Sequence, residues 1–206
     1  MRNSWTGGEA LTREPERDDL AVAVHRSEPG AFDRFVAFWE PPLYGYAFRI
    51  LQNAFDAQEV VQDTFLRAHR ALTRQYDEER AKSLAVRPWL FRIARNLALN
   101  RRRGVWTSSV EPLANFDDDR IGPFTAAGNA AGDLERRQDA ELLESALATL
   151  PTESRELIFL RFMEEMPYGE IARTTGQSET QLRGKVFRSL KLLRRALESR
   201  GVAHAV

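Results

Sequence analysis

Residues 166–197 read MPYGEIARTTGQSETQLRGKVFRSLKLLRRAL, and this stretch decides the fold because it has the order of parts of a helix-turn-helix unit. We predict a short helix from Pro167, a turn through Gly176 and a longer helix opened by Ser178. Glycine suits the turn because it adopts a positive φ at no steric cost. Ser178 and Gln181 form a capping-box pair, which predicts where the second helix begins.

The second helix of this unit has two different faces. At about 100° per residue, its largely apolar side carries Leu182, Val186, Ser189, Leu190 and Leu193. The other side carries one amide side chain, one glycine and three cations, namely Gln181, Gly184, Arg188, Lys191 and Arg195. A recognition helix needs such a face, because its first residues reach base edges while its cations neutralise phosphates. A solvated basic face on an ordinary amphipathic helix is the alternative, but the coincident turn, cap and preceding helix favour DNA binding.

A second basic segment, RPWLFRIARNLALNRRR, spans residues 87–103 and contains six arginines and no acidic residue. Such a concentration of positive charge predicts a phosphate-binding surface. The predicted helix buries Trp89, Leu90, Ile93 and Leu97, and places Arg92, Asn96, Asn100 and Arg103 on one opposite face. An asparagine there presents both a donor and an acceptor to a base. The alternative is that the terminal arginines only complement the helix dipole and Asn96 is solvated.

Asp56 to Leu72 is the clearest helix in the amino-terminal half. One stripe contains Val60, Val61, Thr64, Phe65, Ala68 and Leu72, and the charged residues lie off it. Asp56 and Glu59 form a capping-box-like pair at its start. Earlier in the chain, Pro29 and Gly30 separate a first helix from a second, and we expect Pro41 and Pro42 to interrupt or restart the second.

The remaining sequence suggests how the chain is organised. Residues 1–17 are polar and predict a disordered leader. Residues 104–133 show no regular spacing of apolar residues and predict an acidic, flexible linker. Asp117, Asp118 and Asp119 lie in that linker. No segment shows the alternation of apolar and polar residues that is typical of a strand. We therefore predict an all-α fold of two small helical domains, the second a helix-turn-helix domain.

Composition excludes several functional classes. Lysine plus arginine and aspartate plus glutamate number 30 each, so the formal net charge is zero and only the distribution of charge is informative. There is no cysteine, and the three histidines are scattered, so we expect no metal site, no cofactor and no catalytic centre. We find no signal peptide and no membrane span in the sequence, which predicts a cytoplasmic protein.

These motifs together resemble the sigma-70 family of RNA polymerase sigma factors, and specifically its extracytoplasmic-function branch, which keeps only the second and fourth conserved regions. DAQEVVQDTFLRAHRAL, residues 56–72, resembles the polymerase-binding helix of that family, and residues 87–103 resemble the helix that reads the minus-10 element. The carboxy-terminal helix-turn-helix resembles the module that binds the minus-35 element. The resemblance implies region 2 over residues 18–103 and region 4 over residues 134–200.

The resemblance also implies roles for individual residues. The surface that docks on core RNA polymerase is formed by Asp56, Glu59, Gln62, Asp63 and Arg67. Asn96 matches a position that contacts an extruded base of the minus-10 strand, and the backbone of that strand is held by Arg92, Arg95, Arg101, Arg102 and Arg103. The loop over about residues 73–86 completes the base pocket. Contacts to minus-35 DNA come from Gln181, Arg183, Gly184, Lys185 and Arg188.

The expected partners are therefore core RNA polymerase, promoter DNA and an anti-sigma factor that clasps both domains. Asp117 to Asp119 either imitate RNA phosphates in the exit path of the polymerase or form a solvated acidic loop. An alternative from another class is a helix-turn-helix regulator that binds DNA as a dimer and never docks on core polymerase. An enzyme acting on nucleic acid is the least favoured hypothesis, because the acidic run in the linker has no histidine or lysine beside it.

Overall fold

The computed structural model describes residues 15–104 and 133–200 of the chain. The helices are α1 Pro15–His25, α2 Ala31–Leu51, α3 Ala54–Arg74, α4 Glu78–Ser83, α5 Val86–Arg102, α6 Asp133–Ala148, α7 Thr152–Ile158, α8 Tyr168–Thr175 and α9 Glu179–Glu198. A π-helical segment, Phe159–Met163, continues α7. The described residues contain no strand, which confirms the all-α prediction. Most of the predicted leader and the interior of the predicted linker, with Asp117 to Asp119, lie outside the described residues.

The N-terminal unit, α1 to α5, is built around three long helices that pack against one another, namely α2, α3 and α5. Phe35, Trp39 and Leu43 of α2 are buried, as are Val60 and Leu72 of α3. Burying apolar side chains of this size stabilises a fold by about 1.5 to 3 kcal/mol each. Within residues 15–104 and 133–200, no helix is long and apolar enough to span a bilayer.

Helix α2 runs without a break through Pro41 and Pro42, so the predicted interruption there is wrong. A proline inside a helix removes one backbone hydrogen bond and disfavours the preceding turn. The apolar face of α2 packs on both α3 and α5, with Trp39 before the prolines and Leu43 after them fully buried. The burial of these side chains outweighs the tendency of the two prolines to interrupt a helix. The predicted break at Pro29 and Gly30 is present, because α1 has ended and α2 starts at Ala31.

Helix α3 begins two residues before the predicted start, and its cap is Asn53 rather than Asp56. The Asn53 side-chain oxygen accepts a hydrogen bond from the Asp56 backbone nitrogen at 3.0 Å. Asparagine is among the preferred N-cap residues because its side chain satisfies an otherwise unpaired amide. The Asp56 carboxylate is therefore left for a different partner, Arg101.

The C-terminal unit, α6 to α9, contains the helix-turn-helix that the sequence predicted. Gly176 ends α8 with a φ of 75°. The Ser178 hydroxyl accepts from the Gln181 backbone, and the Gln181 side chain accepts from the Ser178 backbone, so the predicted capping box is complete. Leu182 and Val186 are buried as expected, whereas Leu190 is 39% exposed.

The two units share one continuous hydrophobic core. Leu157, Phe159 and Leu160 of the C-terminal unit are buried in the same cluster as the side chains of α2, α3 and α5. A smaller cluster of Leu147, Leu150 and Ile158 lies within the C-terminal unit. Helix α7 contacts α2, and α8 contacts α5, so the residues predicted to bind DNA on α5 lie beside the second unit.

Candidate nucleic-acid interface

One face of α5 is an open basic surface. Arg92, Asn96, Asn100 and Arg103 are all exposed there, as the helical spacing predicted. Two arginines beside two amides offer both phosphate contacts and base-edge contacts, since a primary amide donates and accepts. We call this set the open face of α5.

The other predicted minus-10 cations do not lie on this open face. Arg95 Nε donates to Glu156 Oε1 of the C-terminal unit at 2.6 Å, and Arg102 donates to the Thr152 hydroxyl of the same unit. Arg101 is held within the N-terminal unit, where its Nε donates to Asp56 Oδ1 at 2.6 Å. The predicted minus-10 set is therefore divided between an exposed group and a group that is already paired.

The predicted polymerase-docking residues form one stripe along α3. Asp56, Glu59, Gln62 and Asp63 are half-buried, and Arg67 is exposed. Arg101 of α5 forms salt bridges with both Asp56 and Glu59, so the acidic stripe of α3 is connected to α5. Burial raises the pKa of the Asp63 carboxyl, and Arg67 beside it acts in the opposite direction.

A cavity of about 430 Å³ opens between α3 and α5. Its polar lining on α3 comes from Asp63, Arg67 and Arg70, and its aromatic lining comes from Tyr76 and Trp89. The two aromatic rings are 5.9 Å apart between centroids. Trp89 is only half-buried, so the prediction that it is a core residue is only partly right.

On α5 the cavity is lined by Trp89 and Ile93, and Asn96 of the open face follows them along the helix. Trp89 and Asn96 are seven residues apart, which places them on the same side of the helix and about 10 Å apart along its axis. An aromatic wall next to polar side chains suits the face and edge of a nucleobase. The loop that the resemblance assigned to the base pocket contributes Gln75 and Tyr76 to this cavity.

The predicted minus-35 residues are only partly brought together on α9. Gln181 and Arg188 are exposed on one side of the helix, with Gly184 between them. A Cβ added to Gly184 meets only Arg188 Nη1, at the ordinary contact distance of 3.5 Å. Nothing in the packing of the described protein therefore requires a glycine here.

The other two predicted minus-35 cations are held by neighbouring side chains. Lys185 Nζ donates to Glu153 Oε1 at 2.5 Å and to Gln177 Oε1 at 2.7 Å. Arg183 lies on the opposite side of α9, with its guanidinium 4.4 Å from the centre of the Tyr168 ring. Of the predicted minus-35 residues, Gln181, Gly184 and Arg188 therefore share one open side of α9.

The polar contacts between the two units were not predicted from the sequence. Glu156 is 2% exposed, and its Oε1 accepts from Tyr46 Oη at 2.6 Å as well as from Arg95. Burial, together with the negative Glu156, raises the pKa of Tyr46 well above its ordinary value. The signal in the sequence was the position of Glu156 three and four residues before Phe159 and Leu160, which places its side chain on the same side of a helix as these two apolar residues.

The fold and these surfaces define an all-α DNA-binding protein with a helix-turn-helix and a second, arginine-rich helix. Comparison with known families agrees with this class of DNA-binding protein and identifies the family. The model of Sigma-70 region 2 matches residues 35–107, and the model of Sigma-70, region 4 matches residues 140–193. The chain belongs to the sigma-70 family of RNA polymerase sigma factors, in its extracytoplasmic-function branch.

Curated relatives match over nearly their whole length. The RNA polymerase sigma-H factor of Pseudomonas aeruginosa is 28% identical over 195 residues, which cover 91% of this chain and 96% of that protein. The ECF RNA polymerase sigma factor SigM of Bacillus subtilis is 26% identical over 172 residues, covering 82% of this chain and 96% of SigM.

Solved structures give the same fold. CnrH, solved in complex with the cytosolic domain of CnrY, aligns with a TM-score of 0.60 at 27% identity, covering 89% of this chain and 97% of that chain. The sigma factor RpoE from Bartonella quintana, solved with the anti-sigma factor NepR, aligns with a TM-score of 0.57 at 20% identity. The latter alignment covers 85% of this chain and 99% of that chain.

Proposed function

We propose that this sigma factor binds core RNA polymerase through α3, reads the minus-10 element with α5 and the minus-35 element with α9, and so directs initiation. One observation carries the proposal. The acidic stripe of α3 is joined through Arg101 to α5, whose open face bears Arg92 and Asn96. A repressor that uses only a helix-turn-helix has no need of this first unit.

We assign the cavity between α3 and α5 to an extruded base of the minus-10 strand. Extruding a base costs a few kcal/mol of stacking and pairing, so promoter opening needs a pocket that compensates for the loss. Trp89 and Tyr76 supply aromatic surface, while Asp63 and Arg70 supply polar contacts. Asn96 and Arg92, farther along the same side of α5, then hold the neighbouring nucleotides.

On this proposal the protein is a specificity subunit with no catalytic step of its own, and it acts in the cytoplasm. RNA synthesis takes place in the polymerase, and the sigma factor contributes binding energy and position. The structure of CnrH contains the cytosolic domain of CnrY as a bound partner. By similarity we propose that an anti-sigma factor also binds this chain and controls its access to polymerase.

Charge reversal on α3 tests the docking role. Asp63→Arg is expected to weaken binding to core polymerase by at least tenfold, about 1.4 kcal/mol, because a cation replaces an anion in the acidic stripe. Fluorescence anisotropy of the labelled protein titrated with core polymerase measures this. Glu40→Arg, at an exposed carboxylate on α2, is the matched control and is expected to bind as the wild type does.

A second measurement separates docking from folding. Asp63→Arg should keep the wild-type affinity for duplex DNA, because α9 lies in the other unit. If Asp63→Arg and Glu40→Arg bind core polymerase equally well, α3 is not the docking surface. Strong duplex binding by a wild-type protein that shows no association with core polymerase would instead identify a helix-turn-helix regulator.

A further inference from the structure

Gly184 lies in the middle of the open side of α9, where a glycine is unfavourable for the helix. It falls within the first two turns of α9, and Gln181 and Arg188 lie one turn before it and one turn after it on the same side. Glycine inside a helix lowers stability relative to alanine, because the unfolded chain has more conformational freedom to lose. Alanine at this position would therefore make the helix more stable.

Neither of the usual structural reasons for a glycine applies to Gly184. Gly176, which ends α8, has a φ of 75° that other residues rarely adopt, whereas the φ of Gly184 is not positive. Gly45 in α2 is explained by packing, since a Cβ there would lie 3.1 Å from Phe159 Cζ. A Cβ at Gly184 would meet only the flexible end of Arg188, at 3.5 Å. The described residues thus give no reason for this glycine, and a ligand that approaches α9 closely gives one.

The bare backbone of Gly184 restricts the kind of group that can lie against it. Gln181 offers a primary amide on one side and Arg188 offers a guanidinium on the other, and between them Gly184 offers only Cα–H groups. A hydrogen-bonding atom of a base placed there would lose water without gaining a partner, which is unfavourable. On the base edges of the major groove the apolar group is the thymine C5-methyl, so this methyl group fits the space.

We propose that Gly184 makes room for the methyl group of a thymine, and that this contact sets part of the duplex sequence that α9 reads. The inference rests on the proposed function, because it assumes that α9 lies in the major groove. Arg188, whose guanidinium lies beside Gly184 in the free protein, then reaches out to a phosphate. A side chain at position 184, even a single methyl group, would occupy the space of the thymine methyl.

Moving one methyl group between the two partners tests this contact. A preferred duplex is first selected from a random-sequence library with the full-length protein. Each thymine of that duplex is then replaced singly by deoxyuridine, which lacks only the C5-methyl group, while Gly184→Ala adds a methyl group to the protein. Gly169→Ala in α8 is the matched control, because its added Cβ would meet the Glu179 side chain. Fluorescence anisotropy of the labelled duplexes measures each affinity.

The wild type is expected to lose about fourfold in affinity when deoxyuridine replaces thymine at one position, which corresponds to one buried methyl group. Gly184→Ala should bind the thymine duplex about tenfold more weakly than the wild type, because the two methyl groups overlap. It should regain affinity on the duplex that carries deoxyuridine at that position. Gly169→Ala should keep the wild-type preference for thymine.

Thermal unfolding separates this effect from misfolding, since Gly184→Ala should raise the melting temperature by about 2 to 4 °C. The inference is overturned if the wild type binds every deoxyuridine duplex as tightly as the parent duplex, or if Gly184→Ala binds the parent duplex as the wild type does. A loss by Gly184→Ala that is equal on all duplexes would overturn it too. Failure of the proposed DNA reading by α9 looks different, because the wild type would then select no preferred duplex, and this result also overturns the inference.

Discussion

At the residue scale, Asp63 combines a position in the proposed docking surface with an environment that disfavours its charge. Its carboxylate lies half-buried at the cavity between α3 and α5, beside Glu59 and Arg67. Burial disfavours the charged form and raises its pKa, and the negative Glu59 acts in the same direction. Residues that serve binding are often not the most stable choice at their position. The environment of Asp63 is consistent with the docking role proposed for it.

Asp63→Asn is expected to stabilise the protein near neutral pH. Because burial raises the pKa of Asp63 in the folded state, the carboxyl group contributes favourably to the stability of the fold below the unfolded pKa of about 3.9. This contribution is lost as the pH rises through the folded-state pKa. The variant should therefore be more stable than the wild type at pH 7, and this gain should shrink toward pH 4. Urea unfolding at both pH values measures it.

Glu40→Gln is the control for this titration, since it removes an exposed carboxylate from α2. A difference between Asp63→Asn and the wild type that is the same at both pH values would show that burial of the charge is not its cause. A variant that is less stable than the wild type at pH 7 would contradict the account as well.

Arg188 supports a second prediction at this scale. Its side chain is exposed on the side of α9 that also carries Gln181, so we expect it to meet a phosphate of duplex DNA. Arg188→Ala should weaken binding to a duplex selected by the wild-type protein and reduce the logarithmic salt slope by about 0.9. Arg194→Ala, at an exposed cation farther along α9, is the control. A lower affinity with an unchanged salt slope would exclude the phosphate contact.

At the scale of elements, the helix-turn-helix and two of the three long helices of the first unit, α3 and α5, follow from local rules. The capping box at Ser178 and the positive φ of Gly176 are properties of a few neighbouring residues, so the sequence was sufficient to predict them. The start of α3 was misplaced because Asn53 and Asp56 are both good caps, and only the fold shows that Asp56 is bonded to Arg101. The continuity of α2 through Pro41 likewise depends on tertiary packing.

Removing the cap of α9 is the test at this scale. Ser178→Ala loses the hydroxyl that accepts from the Gln181 backbone, which we expect to lower the free energy of unfolding by about 1 kcal/mol, while the backbone N–H of residue 178 still donates to the Gln181 side chain. The midpoint of urea unfolding, followed by circular dichroism, measures the change. Thr180→Ala, at an exposed position in the same turn, should not destabilise the protein. Equal effects of the two substitutions would show that the capping box contributes nothing specific.

At the scale of the whole molecule, the arrangement of the units was beyond sequence reasoning. Arg95 and Glu156 are 61 residues apart in the chain, and Tyr46 and Glu156 are 110 apart. No periodicity or spacing rule connects residues at such separations. The candidate surfaces could therefore be predicted as helix faces, whereas the division of the minus-10 cations into an exposed group and a paired group could not.

The central claim is that this chain directs core polymerase to promoters, and transcription in vitro tests it most directly. Core polymerase from the source bacterium is incubated with its genomic DNA, with and without the protein, and RNA 5′ ends are sequenced. The account predicts a defined set of start sites that depend on the protein and share two upstream elements, and Asp63→Arg should abolish them. An unchanged pattern of start sites on addition of the protein, despite its binding to duplex DNA, would contradict the claim.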